Sequence, residues 1–223
     1  MSLASARRAA PAPRRRDEAR ALFRNAILEA AESVFAERGF HRARIQDIAQ
    51  RARIAVGTLY NHFEQKDDVL RALLEERTEG FITQLEPRAS DPAGFEGRLR
   101  ARIDRILSYV ETHRAFFTIA AEHGLVGSSS NSASGVTGKA ARHLAKARTL
   151  FVELVQEGVD AGVLEPLEPV ILARFMGGLV RAFTIGALQQ DPKAGLAKDA
   201  DVVVRFFLHG ASRSTPRASK RAR

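Results

Sequence analysis

Residues 45–76 read IQDIAQRARIAVGTLYNHFEQKDDVLRALLEE. Ile45, Ile48, Ala49 and Ala52 recur at helical spacing and predict one short helix; Val56, Leu59 and Phe63 predict another. Isolated helices of about two turns are marginal in water, so both need neighbours to hold them. Upstream, Leu22, Phe23, Ala26, Ile27, Ala30, Val34 and Phe35 predict a longer amphipathic helix that stops at Gly39, with Phe40 folding back onto it. Downstream, Val69, Leu70, Leu73, Leu74, Phe81, Ile82 and Leu85 predict a long fourth helix. Two short helices joined by a tight turn beside a supporting helix make a helix-turn-helix, although many helical bundles contain such a pair.

A wheel of VGTLYNHF, residues 56–63, at about 100° per residue clusters Val56, Leu59 and Phe63 on one side. Asn61 lies opposite, flanked by Gly57 and Thr58, with Tyr60 and His62 on the two edges. A glycine inside a helix costs about 1 kcal/mol relative to alanine, and close approach of a foreign backbone such as a DNA strand is one reason to keep it. Thr58 and Asn61 have the chemistry to touch base edges, and Tyr60, His62 and Lys66 that to hold phosphates. The same spacing also allows Tyr60 as a packing ring and His62 as a helix cap.

The charge is placed to match. Of a net +9 over 223 residues, Met1–Lys66 carries +6, Ser212–Arg223 carries +5 and the stretch between carries −2. Basic ends beside a near-neutral body suit a polyanion binder; solubility tails are the plainer reading. With no cysteine, disulfides, thiolate catalysis and cysteine-bound metal are excluded. His113 and His143 lack partners at metal-ligand spacing, and no nucleophile elbow, phosphate-binding glycine loop or dinucleotide fingerprint is present. No enzyme activity, metal or cofactor is expected. Neither an apolar run of membrane-spanning length nor a signal-peptide core stands out, so a cytoplasmic protein without membrane contact is expected.

The expected fold is all-α with about nine helices. Residues 1–16 read as a disordered basic arm, as do residues 212–223. Residues 17–66 form the small N-terminal domain and 67–211 the larger one, with a break at 87–97 and a loose small-residue loop at 127–138. Further helices are expected at about 98–112, 114–123, 137–161, 167–190 and 199–210.

The run 45–76, behind a helix ending FAERGF at 35–40, resembles the signature of the tetracycline-repressor (TetR/AcrR) family. The GTLYxHFxxKxxL pattern carries most of that likeness, which covers roughly residues 20–75. It implies a homodimeric transcriptional repressor, bound to a pseudo-palindromic DNA operator and released by a small molecule. Carried over, the recognition helix is Ala55–His62. The DNA contacts are Val56, Gly57, Thr58, Tyr60, Asn61, His62 and Lys66, joined by Ala55 and by Arg44, Ile45 and Gln46 at the start of the second helix. Two places depart from the family pattern. Arg44, followed by Ile45, stands where a hydroxyl cap is usual. The turn reads Arg53, Ile54, Ala55 where Gly, Val, Ser is usual, with Arg53 in an often left-handed position. Two expected phosphate-binding hydroxyls are lost, and Arg44 and Arg53 are candidates to replace them as cations.

In the larger domain, Phe81, Ile103, Leu107, Phe116, Phe117, Phe151 and Phe175, with Glu122, are candidates to line an effector pocket, though most also read as ordinary core. The last two helices are apolar over a broad arc. Phe175, Leu179, Phe183, Val203, Phe206 and Phe207 are the candidates for a dimer interface. An architectural protein that coats DNA without regulation is the alternative, disfavoured by the size of the near-neutral body.

Overall fold

The computed structural model describes residues 13–122, 138–190 and 195–211. Nothing follows for the arm before residue 13, the 127–137 loop or the tail from 212, which lie outside the described residues. The chain divides into two compact units, one through Leu73 and one from Leu74.

In the first unit, α1 (Pro13–Arg38) is followed by α2 (Ile45–Arg51), α3 (Val56–Tyr60) and the start of α4 (Lys66–Leu85). The expected arm of 1–16 is therefore too long at its inner end, because α1 begins at Pro13. Proline suits the first turn of a helix, where its missing N–H goes unmissed, and arginine is a good helix former. The helix ends as expected at Gly39, with φ +73° and its N–H on the Phe35 carbonyl at 2.8 Å. Phe40 then packs edge-on against Phe35, ring centroids 5.3 Å apart.

Ile27, Leu28, Phe35, Ile48, Leu59 and Val69 are fully buried and form the centre of this unit. Each contributes about 1.5–3 kcal/mol by leaving water. That burial is what makes two helices of 7 and 5 residues stable at all. Leu22 stays 71% exposed, although the periodicity puts it on the apolar face of α1.

The second unit holds α5 (Phe95–Thr112), α6 (Arg114–Glu122), α7 (Gly138–Asp160), α8 (Pro169–Gln190) and α9 (Ala200–Ala211), with one 3₁₀ turn at Ala197–Asp199. The described residues are thus all-helical with nine α-helices. Within this unit α8 packs on α6, α7 and α9, and α5 packs on α7 and α9. Arg105 on α5 holds the α4–α5 connection. Its Nη1 meets Asp91 at 2.5 Å, and its Nε and Nη2 donate to the carbonyls of Gln84 at 3.1 Å and Glu86 at 3.3 Å. Both side chains of that ion pair are largely buried.

Contrary to expectation, one segment is long and apolar enough to cross a membrane by length and composition: α8. Its inner face is core, but Ile171 and Phe175 remain exposed, as do Val202 and Phe206 on α9.

Candidate nucleic-acid interface and cavity

Helix α3 is anchored by Leu59, fully buried, and Phe63, 7% exposed. Val56, placed with them on the wheel, is only half-buried. Across the helix Gly57, Tyr60 and Asn61 are exposed, Thr58 is half-buried, and Ala55 is exposed just before the first turn. Among the described residues, a Cβ built on Gly57 meets no atom within 4 Å beyond its own helix backbone. Nothing inside the molecule therefore requires glycine there.

The entry to α2 lacks a hydroxyl cap, but it is not uncapped. Asp47, three residues in, accepts the Arg44 backbone N–H at 3.0 Å. Its other oxygen pairs with Arg38 at 2.7 Å. This carboxylate does the reciprocal half of a capping box, and its charge also suits the positive end of the helix. The Arg44 guanidinium is left pointing outward, exposed.

Helix α2 ends in a Schellman motif. The N–H of Arg53 bonds the Gln50 carbonyl at 3.1 Å, and that of Ile54 bonds the Ala49 carbonyl at 3.0 Å. The geometry puts Arg53 at φ +56°, as its place in the pattern predicts; it is the one non-glycine with positive φ among the described residues. An L-residue there costs about 1–2 kcal/mol. Arg53→Gly is expected to raise the stability of the first unit by about 0.5–1 kcal/mol, the strain relieved less the extra chain entropy of glycine. Urea denaturation reads this directly, and an unchanged or lower midpoint contradicts it. Among the described residues neither the Arg44 nor the Arg53 side chain has an ion-pair partner.

Three expected contact residues are turned to other work. Ile45 is only 9% exposed, its side chain in the core, so it can offer at most backbone. His62 lies against Phe23 and Phe63, with centroids 6.4 Å from each. Burial, then the charges of Arg20 and Arg24, hold its pKa below the usual imidazole value, which leaves it neutral at pH 7. Lys66 points back into its own unit. Its Nζ donates to the carbonyls of Phe40 at 2.6 Å, Ala43 at 3.0 Å and His41 at 3.2 Å, and sits 4.4 Å over the Phe40 ring. An ammonium has three donors, and all three are spent on the α1–α2 turn. Arg44, Gln46, Ala55, Gly57, Tyr60 and Asn61 stay on the open surface.

In the second unit a cavity of about 100 Å³, partly open to solvent, lies between α4, α5, α6, α7 and α8. Phe81, Phe117 and Phe151 line it as expected. Ile103, Leu107 and Phe116 do not: they are packed into the core, at most 2% exposed. Phe175 is 64% exposed on the outer side of α8 and so lines no cavity. The side chain of Glu122 lies outside the described residues. The wall includes groups that the sequence reading missed, among them Ile106, Val110, Arg181 and Thr184. Val203 and Phe207, expected at a dimer interface, are 2% and 5% exposed and belong to the protomer's own core. Phe175 and Phe206 are on the surface, and Leu179 and Phe183 are half-buried.

The family model for bacterial regulatory proteins of the tetR family matches residues 27–73, the stretch that folds as α1 to α4 around the helix-turn-helix. Over residues 27–73 the chain is of the tetR type. Among curated relatives, the fatty acid metabolism regulator protein of Bacillus subtilis is 34% identical over 82 residues, 37% of this chain and 42% of the relative. The chain thus spans less than half the length of that relative. The transcriptional repressor KstR2 of Mycobacterium tuberculosis is 28% identical over 158 residues, 69% of this chain and 75% of its own. Among solved structures, the fatty acid degradation regulator FadR of Bacillus halodurans shares the fold with a TM-score of 0.72 at 24% identity, over 84% of this chain and 95% of its own. FadR of Bacillus subtilis, solved in complex with stearoyl-CoA, gives 0.68 at 24% identity, over 83% and 97%.

Proposed function

We propose that this chain is a cytoplasmic, dimeric transcriptional repressor of the TetR family that reads a pseudo-palindromic operator through α3 and is released by a small molecule held in the second unit. The observation that carries the reading is the face of α3. Gly57 fronts empty space, Tyr60 and Asn61 are exposed, and the unpaired cations Arg44 and Arg53 flank them. Gly57 lets a DNA strand come close, Thr58 and Asn61 reach base edges, and Tyr60, Arg44 and Arg53 hold phosphates. Residues up to about 66 form the reading domain and those beyond it the effector and dimer domain.

Dimer formation is supported by the outer face of α8 and α9, where Ile171, Phe175, Val202 and Phe206 stand in water. A second copy would cover them, as would Leu179 and Phe183, and would set two α3 helices about one DNA turn, 34–36 Å, apart. An effector shifts the balance only by its differential affinity for the DNA-bound and free states.

The test is selection of bound duplexes from random DNA, run on the wild-type chain and on Gly57→Ala. The wild type is expected to enrich two inverted half-sites. Gly57→Ala is expected to keep or raise stability by up to about 1 kcal/mol, since helical alanine is favoured and nothing clashes, yet to weaken operator binding at least tenfold. Failure to enrich any sequence, or full binding by Gly57→Ala, contradicts the assignment of the reading face.

A further inference from the structure

Among the described residues two buried side-chain polar atoms have no hydrogen-bond partner, the Thr184 hydroxyl and the Arg102 Nε. The hydroxyl lies in the cavity wall on α8. The guanidinium lies elsewhere, on α5, where Arg102 is 2% exposed. A guanidinium carries five N–H donors, and none of those on Arg102 makes a hydrogen bond among the described residues. Its one ion pair is loose, from Nη2 to Glu157 Oε1 on α7 at 3.7 Å. Buried polar groups are as a rule hydrogen-bonded, and a buried charge without partners is costlier still.

The neighbours account for the shortfall. Arg98, Arg102 and Arg105 recur at four and three along α5 and so share one face. Two carboxylates meet them. Glu157 Oε2 accepts from Arg98 Nε at 2.6 Å, and Asp91 is held by Arg105 at 2.5 Å. Three cations against two anions leave one positive charge over, and it falls on the middle arginine, the most deeply buried of the three. Burial lowers the Arg102 pKa; Glu157 and Asp91 oppose this, and Arg105 and Arg98 add to it. An arginine does not escape such a place by losing its proton. The cluster is open at one edge, where the side chains of Arg98 and Glu157 are 32% and 35% exposed. None of these five residues lines the cavity.

We propose that Arg102 is the centre of an oxyanion site, in which a compact phosphate or carboxylate accepts from its guanidinium between Arg98 and Arg105 and supplies the missing negative charge. The planar fork of a guanidinium matches either group through two parallel hydrogen bonds. The bound anion would brace α5 against α7. The site is independent of the reading face on α3, and neither assignment falls with the other.

The experiment is thermal denaturation of the full chain in Tris gluconate at constant ionic strength, gluconate being too bulky for a buried edge. Phosphate, acetate or chloride is titrated in. Phosphate or acetate is expected to raise the melting temperature by about 3 °C at saturation, and the more effective of the two names the source. Chloride, which cannot take the fork, is expected to do less. Arg102→Met strands no charge, since Glu157 keeps Arg98. It is expected to melt no lower than the wild type in gluconate and to lose the oxyanion response. Should methionine fail to pack, Arg102→Lys keeps the charge without the fork and is expected to need at least tenfold more oxyanion for half the shift. Phosphate also meets exposed arginines of the first unit, so Arg44→Ala combined with Arg53→Ala is the control and is expected to retain the response. A melting temperature indifferent to all three anions, an equal response to chloride, a response unchanged in the Arg102 variants, or one lost in the control overturns the proposal.

Discussion

Lys66→Met is expected to lower the stability of the first unit by about 3 kcal/mol, with little direct effect on how that unit meets phosphate. The Lys66 ammonium bonds three carbonyls of the α1–α2 turn, those of Phe40, His41 and Ala43. Hydrogen bonds to a charged donor are worth about 1.5–3 kcal/mol each, and they are not additive when one side chain makes all three. Methionine keeps the stem and the contact with Phe40 but leaves those carbonyls unmet. Guanidinium denaturation measures the loss. A phosphate-binding lysine gives a different result: stability hardly altered, and the salt dependence of DNA binding reduced by about one unit of slope. The two measurements on one variant decide between the roles.

Arg105→Leu is expected to cost about 4 kcal/mol in the second unit. Removing one partner of a buried ion pair leaves the other charge unpaired, and such changes cost about 3–5 kcal/mol. Here the stranded group is Asp91, with a side chain 4% exposed. The carbonyls of Gln84 and Glu86 lose their donor as well. Burial pushes the Asp91 pKa up, but the hydrogen bonds from Arg105 and from the Arg88 N–H outweigh it, and the net shift is downward. A carboxylate with a lowered folded pKa contributes fully above its unfolded value, near pH 4, and the contribution is lost as pH falls through the folded one. The wild type should therefore lose stability below about pH 4 more steeply than Arg105→Leu does. Parallel acid titrations by circular dichroism check this, and equal slopes contradict it.

These two cations show what the sequence could and could not reveal. The helices were legible because apolar spacing repeats at three and four, and the left-handed corner at Arg53 was legible because the surrounding pattern usually carries glycine there. Lys66 was misread because a sequence shows where a charge is attached but not where its protons are spent. Two of the three α9 assignments, Val203 and Phe207, failed for a simpler reason. Val202 and Phe206 form the same pair, at the same spacing, as Val203 and Phe207, and only the position of the rest of the second unit decides that the latter pair faces inward. The cavity wall was hidden in the same way. On α5, Ile103 and Leu107 point into the core while Ile106 and Val110 meet the space. Thr184 gave no signal in sequence, since a threonine in a helix ordinarily satisfies itself.

The empty space in front of Gly57 bears on how such a protein could diverge. Folding rests on the buried Leu59 and Phe63, whereas Gly57, Tyr60 and Asn61 stand on the open surface. Changes on that face escape the selection that guards the core. Duplicated copies could therefore drift toward new operators by single steps, each tested for recognition alone, without first acquiring compensating mutations in the interior.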